Sequence, residues 1–178
     1  LRERAFLPGI YDPEHADEPL EFDLGPLMKK EDNNINSIID ETESDISLKI
    51  RKEDEITMEA WNEFYQNIDI KVIGFPVWAD YFHSTEDISS FPKWKQDFIH
   101  KNEELYKRNK TFIDKWAKKW KVYEDFTPTQ RKFEWQCGKS INSIYDGLIQ
   151  FRPSGMRVKV PTAAPALVAM VQTSVIGR

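Results

Sequence analysis

The sequence has one cysteine, seven glycines and no long apolar run. The lone Cys137 excludes a disulfide framework within the chain and is typical of a reducing, cytoplasmic setting. The most apolar stretch, residues 163–171, is much shorter than the roughly 18–20 residues needed to span a membrane, so we expect no membrane partner. No apolar segment follows the charges at residues 1–4, and there is no initiator Met, so we expect an internal piece of a protein rather than a secretory start.

The sequence also lacks an overall excess of positive charge, with a formal net charge of -5. The charge is unevenly distributed. Residues 1–50 carry 5 Lys/Arg against 13 Asp/Glu, residues 51–120 carry 12 against 13, and residues 121–178 carry 8 against 4. Only the C-terminal third is net basic, so a surface that binds phosphate is expected there.

Helical periodicity is clearest between residues 93 and 121, where aromatic and aliphatic residues recur at intervals of three and four. The pattern predicts one long helix whose apolar stripe packs in the core, with Pro92 at its start. Base stacking by Trp116 or Trp120 is the alternative function of that stripe. Two further helices are predicted, one capped by Thr57 and ending near Asn67, the other from Thr127 to about Gln136. A short helix is also expected at residues 35–39, and residues 141–149 fit a third helix or a helix–strand transition.

Short runs with strand character are grouped late in the sequence, at residues 150–152, 156–160 and 166–171. Residues 4–11 and 70–77 also resemble strands, the latter ending in a bend at Gly74 and Pro76. Together these elements predict an α+β chain. Several helices, one of them long (about 93–121), pack on a small, mostly antiparallel sheet formed by the C-terminal third.

Two groups of basic residues could carry chemistry. Around the turn at residues 153–155, the alternation of Met156, Val158 and Val160 with Arg157 and Lys159 places both cations on one strand face. A glycine permits close approach of a ligand to the backbone, and a serine can donate to a phosphate. The alternative interpretation is a solvated hairpin. The second group, Arg2 and Arg4, shares one face of a strand, although spacing alone favours two exposed arginines at a frayed end.

Both ends of the sequence resemble bacterial DNA (cytosine-5) methyltransferases. Residues 1–7 are similar to the family's Gln-x-Arg-x-Arg motif and its following apolar strand, with Arg2 and Arg4 as the two arginines. The far end is similar to the stretch before the next motif, through Arg-Pro-Ser-Gly-x-Arg-Val-Lys, Pro-Ala-Leu-Val-Ala and Gln-Thr-Ser-x-Ile-Gly. The residues between these motifs correspond to the family's variable target-recognition region.

The sequence departs from the family in lacking its glycine-rich adenosylmethionine loop, its Glu-Asn-Val motif and its Pro-Cys dipeptide. Gln136, not proline, precedes Cys137, and Ala163-Ala164 stands where bulkier residues are expected. Since those motifs precede Gln-x-Arg-x-Arg in the family, the chain alone is expected to bind no cofactor and to be inactive. S-adenosylmethionine is implied only for the parent enzyme.

The resemblance implies a mechanism in which a cysteine thiolate adds to a flipped cytosine and the methyl group goes to C5. Arg4 is implied to hold the cytosine O2, and Arg2 to brace that site. The implied partners are double-stranded DNA and the catalytic domain of the parent enzyme. The expected contacts with DNA are those of Arg152, Ser154, Gly155, Arg157, Lys159, Gln172 and Thr173.

The implied organisation is a catalytic-domain strand at residues 1–12, an acidic connector at 13–55 and a target-recognition domain at 56–178. The implied parent is a site-specific methyltransferase of a restriction-modification system. The competing hypothesis is a non-enzymatic module that binds a protein partner. It is supported by the acidic first third and by the aromatic helix.

Overall fold

The computed structural model describes Thr42, residues 49–162 and residues 173–176 of the chain. Helices and a mixed, mostly antiparallel sheet make up this part, which confirms the predicted α+β class. The elements are α1 (Lys52–Asn67), β1 (Val77–Trp78), a 3-10 turn (Ala79–Tyr81), α2 (Lys93–Trp120), β2 (Lys132–Gln136), a second 3-10 turn (Ile144–Asp146), β3 (Leu148–Arg152), β4 (Gly155–Lys159) and β5 (Thr173–Ile176).

Helix α2 has nearly the bounds that its periodicity predicts. It begins directly after Pro92 and ends at Trp120, and the left-handed backbone of the next residue, Lys121 (φ 49°), caps the last turn. The backbone departs from helical geometry at Asn109 (φ -114°), which marks a kink. The buried stripe contains Ile99, Asn102, Leu105, Tyr106, Asn109, Ile113, Trp116 and Ala117.

Helix α1 is longer than predicted because it begins at Lys52 rather than near Thr57. Three acidic residues, 53–55, occupy its first turn, where the positive end of the helix dipole stabilises them. Thr57 is therefore inside the helix and does not cap it. Its hydroxyl donates to the carbonyl of Glu53 at 2.8 Å and accepts from Gln130 Nε2 at 3.0 Å.

The sheet has the strand order β1-β2-β4-β3-β5. β2 and β4 are parallel, and the other neighbouring pairs are antiparallel. Four of its strands lie in the C-terminal third, where the sheet was predicted, although only β3 and β4 match predicted strands. β1, at one edge, comes from the middle of the chain. One face buries Phe133, Trp135, Ile149, Met156 and Val158 in the core.

The helix predicted from Thr127 to Gln136 is wrong. Residues 127–131 form a turn, in which Gln130 Oε1 accepts from the Thr127 amide at 2.9 Å, and residues 132–136 form β2. The physical reason is the two-residue alternation of β2, which buries Phe133 and Trp135 and turns their neighbours outward. Gly138, predicted as a helix stop, follows this strand with φ 54°.

The structure agrees with some of the other predicted elements and shortens one of them. The strand expected at residues 70–77 is limited to Val77–Trp78, because Gly74 and Pro76 interrupt it. Residues 141–149 are a helix–strand transition, in which Ser143 and Asp146 form a capping box ahead of β3. The strands expected at 150–152 and 156–160 are confirmed by β3 and β4. Those expected at 4–11 and 166–171, and the helix at 35–39, lie outside the described residues.

The core is built around stacked aromatic rings contributed by both helices and the sheet. Trp61 of α1 stacks on Phe133 of β2, with ring centroids 5.0 Å apart, and lies 5.1 Å from Trp116 of α2. The indole N–H groups of Trp61 and Trp116 donate to the carbonyls of Gln130 and Ala60 at 2.8 and 2.7 Å. Packing in the core, the predicted role of the tryptophan stripe, is thus confirmed at Trp116.

Candidate functional site

The hairpin β3–β4 presents the predicted basic residues on the sheet face opposite the core, called the outer face below. Met156 and Val158 are buried against the core, so Arg157 and Lys159 both project from the other side, as their alternation predicts. Register places Gln150 opposite Arg157, and on β2 it places Glu134 and Gln136 beside Arg157 and Lys159. The outer face thus groups these polar side chains on three adjacent strands, together with buried Leu148, which is opposite Lys159.

Arg157 is held by a neutral side chain. Its Nε and Nη2 donate to the same oxygen, Gln150 Oε1, at 3.0 and 2.5 Å. Gln150 itself is only 1% exposed. Burial, together with the nearby charge of Arg152, lowers the pKa of Arg157 from its ordinary value, although arginine remains charged at neutral pH. The contact fixes the guanidinium through a neutral acceptor, with the Glu134 carboxylate next to it in register.

Arg152 is in a different environment although it is only two residues from Gln150 on the same strand face. Its Nη2 forms an ion pair with Glu134 Oε2, and Gln136 also donates to that carboxylate. The Arg152 side chain is 14% exposed, and its Nε is buried without a hydrogen-bond partner. Arg152 is therefore ion-paired within the sheet, whereas Arg157 forms no ion pair with the carboxylates of the described residues.

Lys159 and Ser154 complete the basic end of the hairpin. Lys159 is half-buried and pairs with none of the carboxylates in the described part of the chain, and Ser154 is exposed in the turn. Thr129 Oγ1 contacts the carbonyl of Pro153 in the same turn at 3.4 Å. The hairpin thus offers one fixed and one unpaired cation beside an exposed hydroxyl.

Gly155 has a structural role that its place in the sequence did not reveal. Its φ of +115° is a conformation that side chains rarely adopt, and a Cβ there would lie 2.5 Å from Lys132 Cβ and 2.7 Å from Lys132 O. The close neighbour is the start of β2. The absence of a side chain at Gly155 therefore allows β2 to pack closely, and not a ligand to approach as the sequence predicted.

The remaining predicted residues are less defined. Arg2, Arg4 and Gln172 lie outside the described residues, and Thr173 is described only as the residue of β5 whose backbone pairs with Phe151. The sequence interpretation missed Gln150 and Glu134. Gln150 could have been found, because it stands two positions before Arg152 and so shares its strand face.

Cys137 is unsuited to nucleophilic chemistry. The residue is 2% exposed, and burial raises the pKa of its thiol to about 12. Since the thiolate is the reactive form, the group is inert at neutral pH. The prediction that Cys137 is an ordinary structural cysteine is consistent with this environment.

A groove of about 630 Å³ lies beside the hairpin. Both cations that line it are already paired, Arg51 with Asp54 at 2.8 Å and Arg152 with Glu134. Acidic residues also line it, among them Glu53 and Asp125. Among the described residues, the groove therefore offers an anion no cation that lacks a carboxylate partner, whereas the outer face offers Lys159.

The described ranges contain no candidate metal site and no candidate membrane span. No group of three or more His, Cys, Asp or Glu there could hold a metal ion. No helix of this part is long and apolar enough to cross a membrane.

Comparison with known proteins gives one informative relative. The chain is 42% identical over 89 residues to the type II methyltransferase M.AluI of Cellulosimicrobium cellulans, a match that covers 49% of this chain and 17% of that protein. No family model and no solved structure matches the chain. The chain thus spans about a sixth of its relative's length. The match confirms the resemblance to part of a bacterial DNA methyltransferase.

Proposed function

We propose that this chain is the target-recognition part of a site-specific DNA (cytosine-5) methyltransferase, and that the outer face of β3 and β4 contacts duplex DNA. The observation that carries the proposal is the guanidinium of Arg157, fixed by a neutral acceptor, beside Lys159 on one strand face, where neither cation is ion-paired within the described residues. Similarity to a type II methyltransferase supports the same function.

Arg157 has the chemistry of a base reader. A planar guanidinium suits guanine O6 and N7 in the major groove, and a guanidinium already held in place loses less side-chain freedom on binding. In this proposal Gln150 positions Arg157, and Lys159 and Ser154 contact phosphates. Arg152 stabilises the hairpin through Glu134 and contributes to the local field. Thr173 and Gln172 remain candidate contacts at the neighbouring strand.

Catalysis in the proposed enzyme needs groups from its catalytic domain. Cys137 cannot supply the thiolate, because it is buried and protonated at neutral pH. The described glycines stand singly, at 74, 138, 147 and 155, and form no glycine-rich loop that would fit S-adenosylmethionine. We therefore assign cofactor and nucleophile to the catalytic domain. Arg4, at the border of that domain with the connector, would hold the flipped cytosine, and Arg2 would brace that site.

The proposed organisation follows the same division. Residues 1–12 would belong to the catalytic domain, 13–55 to an acidic connector and 56–178 to the recognition domain, with α1 at their junction. Such an enzyme would act in the cytoplasm, where the cell's DNA lies, as one half of a restriction-modification system.

The test is the binding of labelled duplexes by the 178-residue chain at several salt concentrations, starting at low salt. The double variant Arg157→Gln/Lys159→Gln should bind more weakly and lose about one to two units of salt slope, because each lost phosphate contact removes roughly one. Lys115→Gln/Lys118→Gln, on exposed parts of α2, is the matched control with the same charge change and should bind like the wild type. Equal weakening in both double variants would mean that net charge, and not the outer face, determines binding.

A further inference from the structure

Trp94 differs from the other tryptophans of the chain in its exposure. It leaves 56% of its surface exposed near the start of α2, whereas the other five are buried or partly buried. A predicted stacking role for Trp116 or Trp120 does not fit, because Trp116 is 1% exposed and the Trp120 indole donates to Glu63 at 2.8 Å. Trp94 is thus the tryptophan best placed to meet a partner.

Trp94 begins a row of packed aromatic side chains. Its ring centroid lies 6.0 Å from that of Phe98, which lies 5.9 Å from that of Trp78, and both contacts are edge-to-face. Trp78 in turn lies 5.7 Å from Tyr81. Trp78 belongs to β1 and Phe98 to α2, so the row joins the edge of the sheet to the helix. Phe98, Trp78 and Tyr81 are half-buried, and Trp94 is the most exposed member.

Two lysines on α2 lie over these rings. Lys101 Nζ is 5.7 Å from the Phe98 centroid, and Lys95 Nζ is 3.3 Å from that of Phe91 and 5.8 Å from that of Tyr81. Among the described residues neither lysine has a carboxylate within ion-pair distance, unlike three other lysines of the helix. Those pairs are Lys93–Asp97 at 3.0 Å, Lys110–Asp114 at 2.7 Å and Lys119–Glu63 at 2.5 Å.

An aromatic ring attracts a cation but carries no net charge, so Lys95 and Lys101 keep their charges without an ion-pair partner among the described residues. Together with exposed Trp94, they form a surface on which a ring can stack beside a phosphate. This combination of groups is the one used to bind unstacked nucleotides. A protein partner would require complementary carboxylates at the same spacing, whereas every nucleotide supplies both a ring and an anion.

The row adjoins the outer face of the sheet. A cavity of about 320 Å³ is lined by Phe75, Pro76 and Phe98 on one side and by Glu134 and Gln136 on the other. In register, Gln136 is next to Lys159. The cavity thus joins the aromatic row to the strand edge that carries Glu134 and Gln136, next to Lys159.

We propose that Trp94, Lys95 and Lys101 form a second DNA contact, in which the lysines bind phosphates and Trp94 stacks on a base that has left the helical stack. This second contact rests on the proposed function, because it extends the path of the DNA bound at Arg157 and Lys159 onto α2. This contact binds the DNA next to the recognition site. It distinguishes unpaired bases from paired bases, but it does not distinguish one base type from another.

The experiment measures binding of the 178-residue chain to a labelled blunt duplex and to the same duplex with a short single-stranded tail. In the wild type the tail should strengthen binding. Trp94→Ala should lose that gain, about fivefold or more from one lost stacking contact, while Trp94→Phe retains part of it. Lys95→Gln/Lys101→Gln should reduce the salt slope by about two, and the control Lys115→Gln/Lys118→Gln should leave it unchanged. Circular dichroism establishes that each variant is folded.

The outcomes separate the two proposals. If the outer-face variant loses duplex binding while the Trp94 and Lys95/Lys101 variants match the wild type on both probes, the second contact is overturned and the proposed function stands. If the wild type binds neither probe at low salt, both are overturned. If Trp94→Ala instead abolishes self-association on a sizing column and leaves DNA binding unchanged, the surface joins copies of the chain and the proposal is overturned.

Discussion

Arg157 and Gln150 face each other across two antiparallel strands, and one amide oxygen accepts two N–H groups of the guanidinium. The amide of Gln150 is buried, and the Arg157 side chain above it on the outer face is half-buried. A carboxylate in place of Gln150 would hold the arginine equally well but would neutralise it. The neutral acceptor preserves the positive charge that the proposed function needs.

Replacing Gln150 by Met tests this relationship, because the side chain keeps its approximate volume and loses the acceptor. The free energy of unfolding should fall by about 1–2 kcal/mol, because N–H groups of half-buried Arg157 lose their partner. DNA affinity should also fall, while the salt slope stays unchanged, because no phosphate contact is removed. Urea denaturation and salt-dependent binding measure the two effects. Wild-type affinity in the folded variant would show that Gln150 does not position the arginine.

The tight approach of the hairpin to β2 predicts different effects for two glycines of positive φ. Gly155→Ala should destabilise the chain by about 2–4 kcal/mol, since backbone strain adds to the clash with Lys132. Gly138→Ala is the matched control. Its φ is +54°, but a Cβ there meets nothing within 4 Å, so the cost should be about 1 kcal/mol. Equal losses in thermal or urea unfolding would contradict the account given for Gly155.

The raised pKa of Cys137 predicts an unreactive thiol. At pH 7 the folded chain should react with a thiol reagent only as fast as it opens, and it should form no covalent adduct with a duplex containing 5-fluorocytosine. Adding denaturant should expose the thiol and restore an ordinary rate. A DNA adduct that disappears in Cys137→Ser would show that this cysteine is the nucleophile after all.

The junction between the segment after α1 and the kink of α2 should depend on pH. Hydrogen bonds from Asn109 (2.7 Å) and Arg108 (2.5 Å) lower the pKa of the Asp69 carboxyl below 3.8. Because the folded-state pKa is depressed, the stabilisation is present above pH 3.8 and is lost as pH falls through the folded value. Asp69→Asn should therefore lower Tm at neutral pH, and the difference should narrow towards pH 2. A difference in Tm that does not change with pH would show that the charge of Asp69 does not stabilise the fold.

The sequence predicts best where one physical pattern dominates. The bounds of α2 follow from a stripe repeated over many turns, and the shared face of Arg157 and Lys159 follows from strand alternation. Residues 127–136 gave conflicting patterns, since Thr127 and Pro128 suit a helix start while Phe133 and Trp135 alternate. Tertiary burial of those two aromatics against Trp61 decided in favour of a strand.

Much of the candidate site depends on register, which a single sequence does not contain. The pairing of Arg152 with Glu134 joins β3 to β2 across β4, and nothing in the local sequence indicates it. The sequence also did not indicate that Trp94 is exposed, because Trp94 has the same helical spacing as Phe98 and Leu105. The stripe meets the core only farther along α2, from Ile99 onward.

The strand order has a consequence for synthesis of the chain. Both helices leave the ribosome before β2, β3 and β4, so Trp61 and Trp116 have no sheet to cover them until residues up to about 158 have emerged. The β3–β4 hairpin then forms between near neighbours, and its docking on β2 closes the core. A nascent chain stalled before that point exposes the apolar surface that chaperones bind and that aggregates form from.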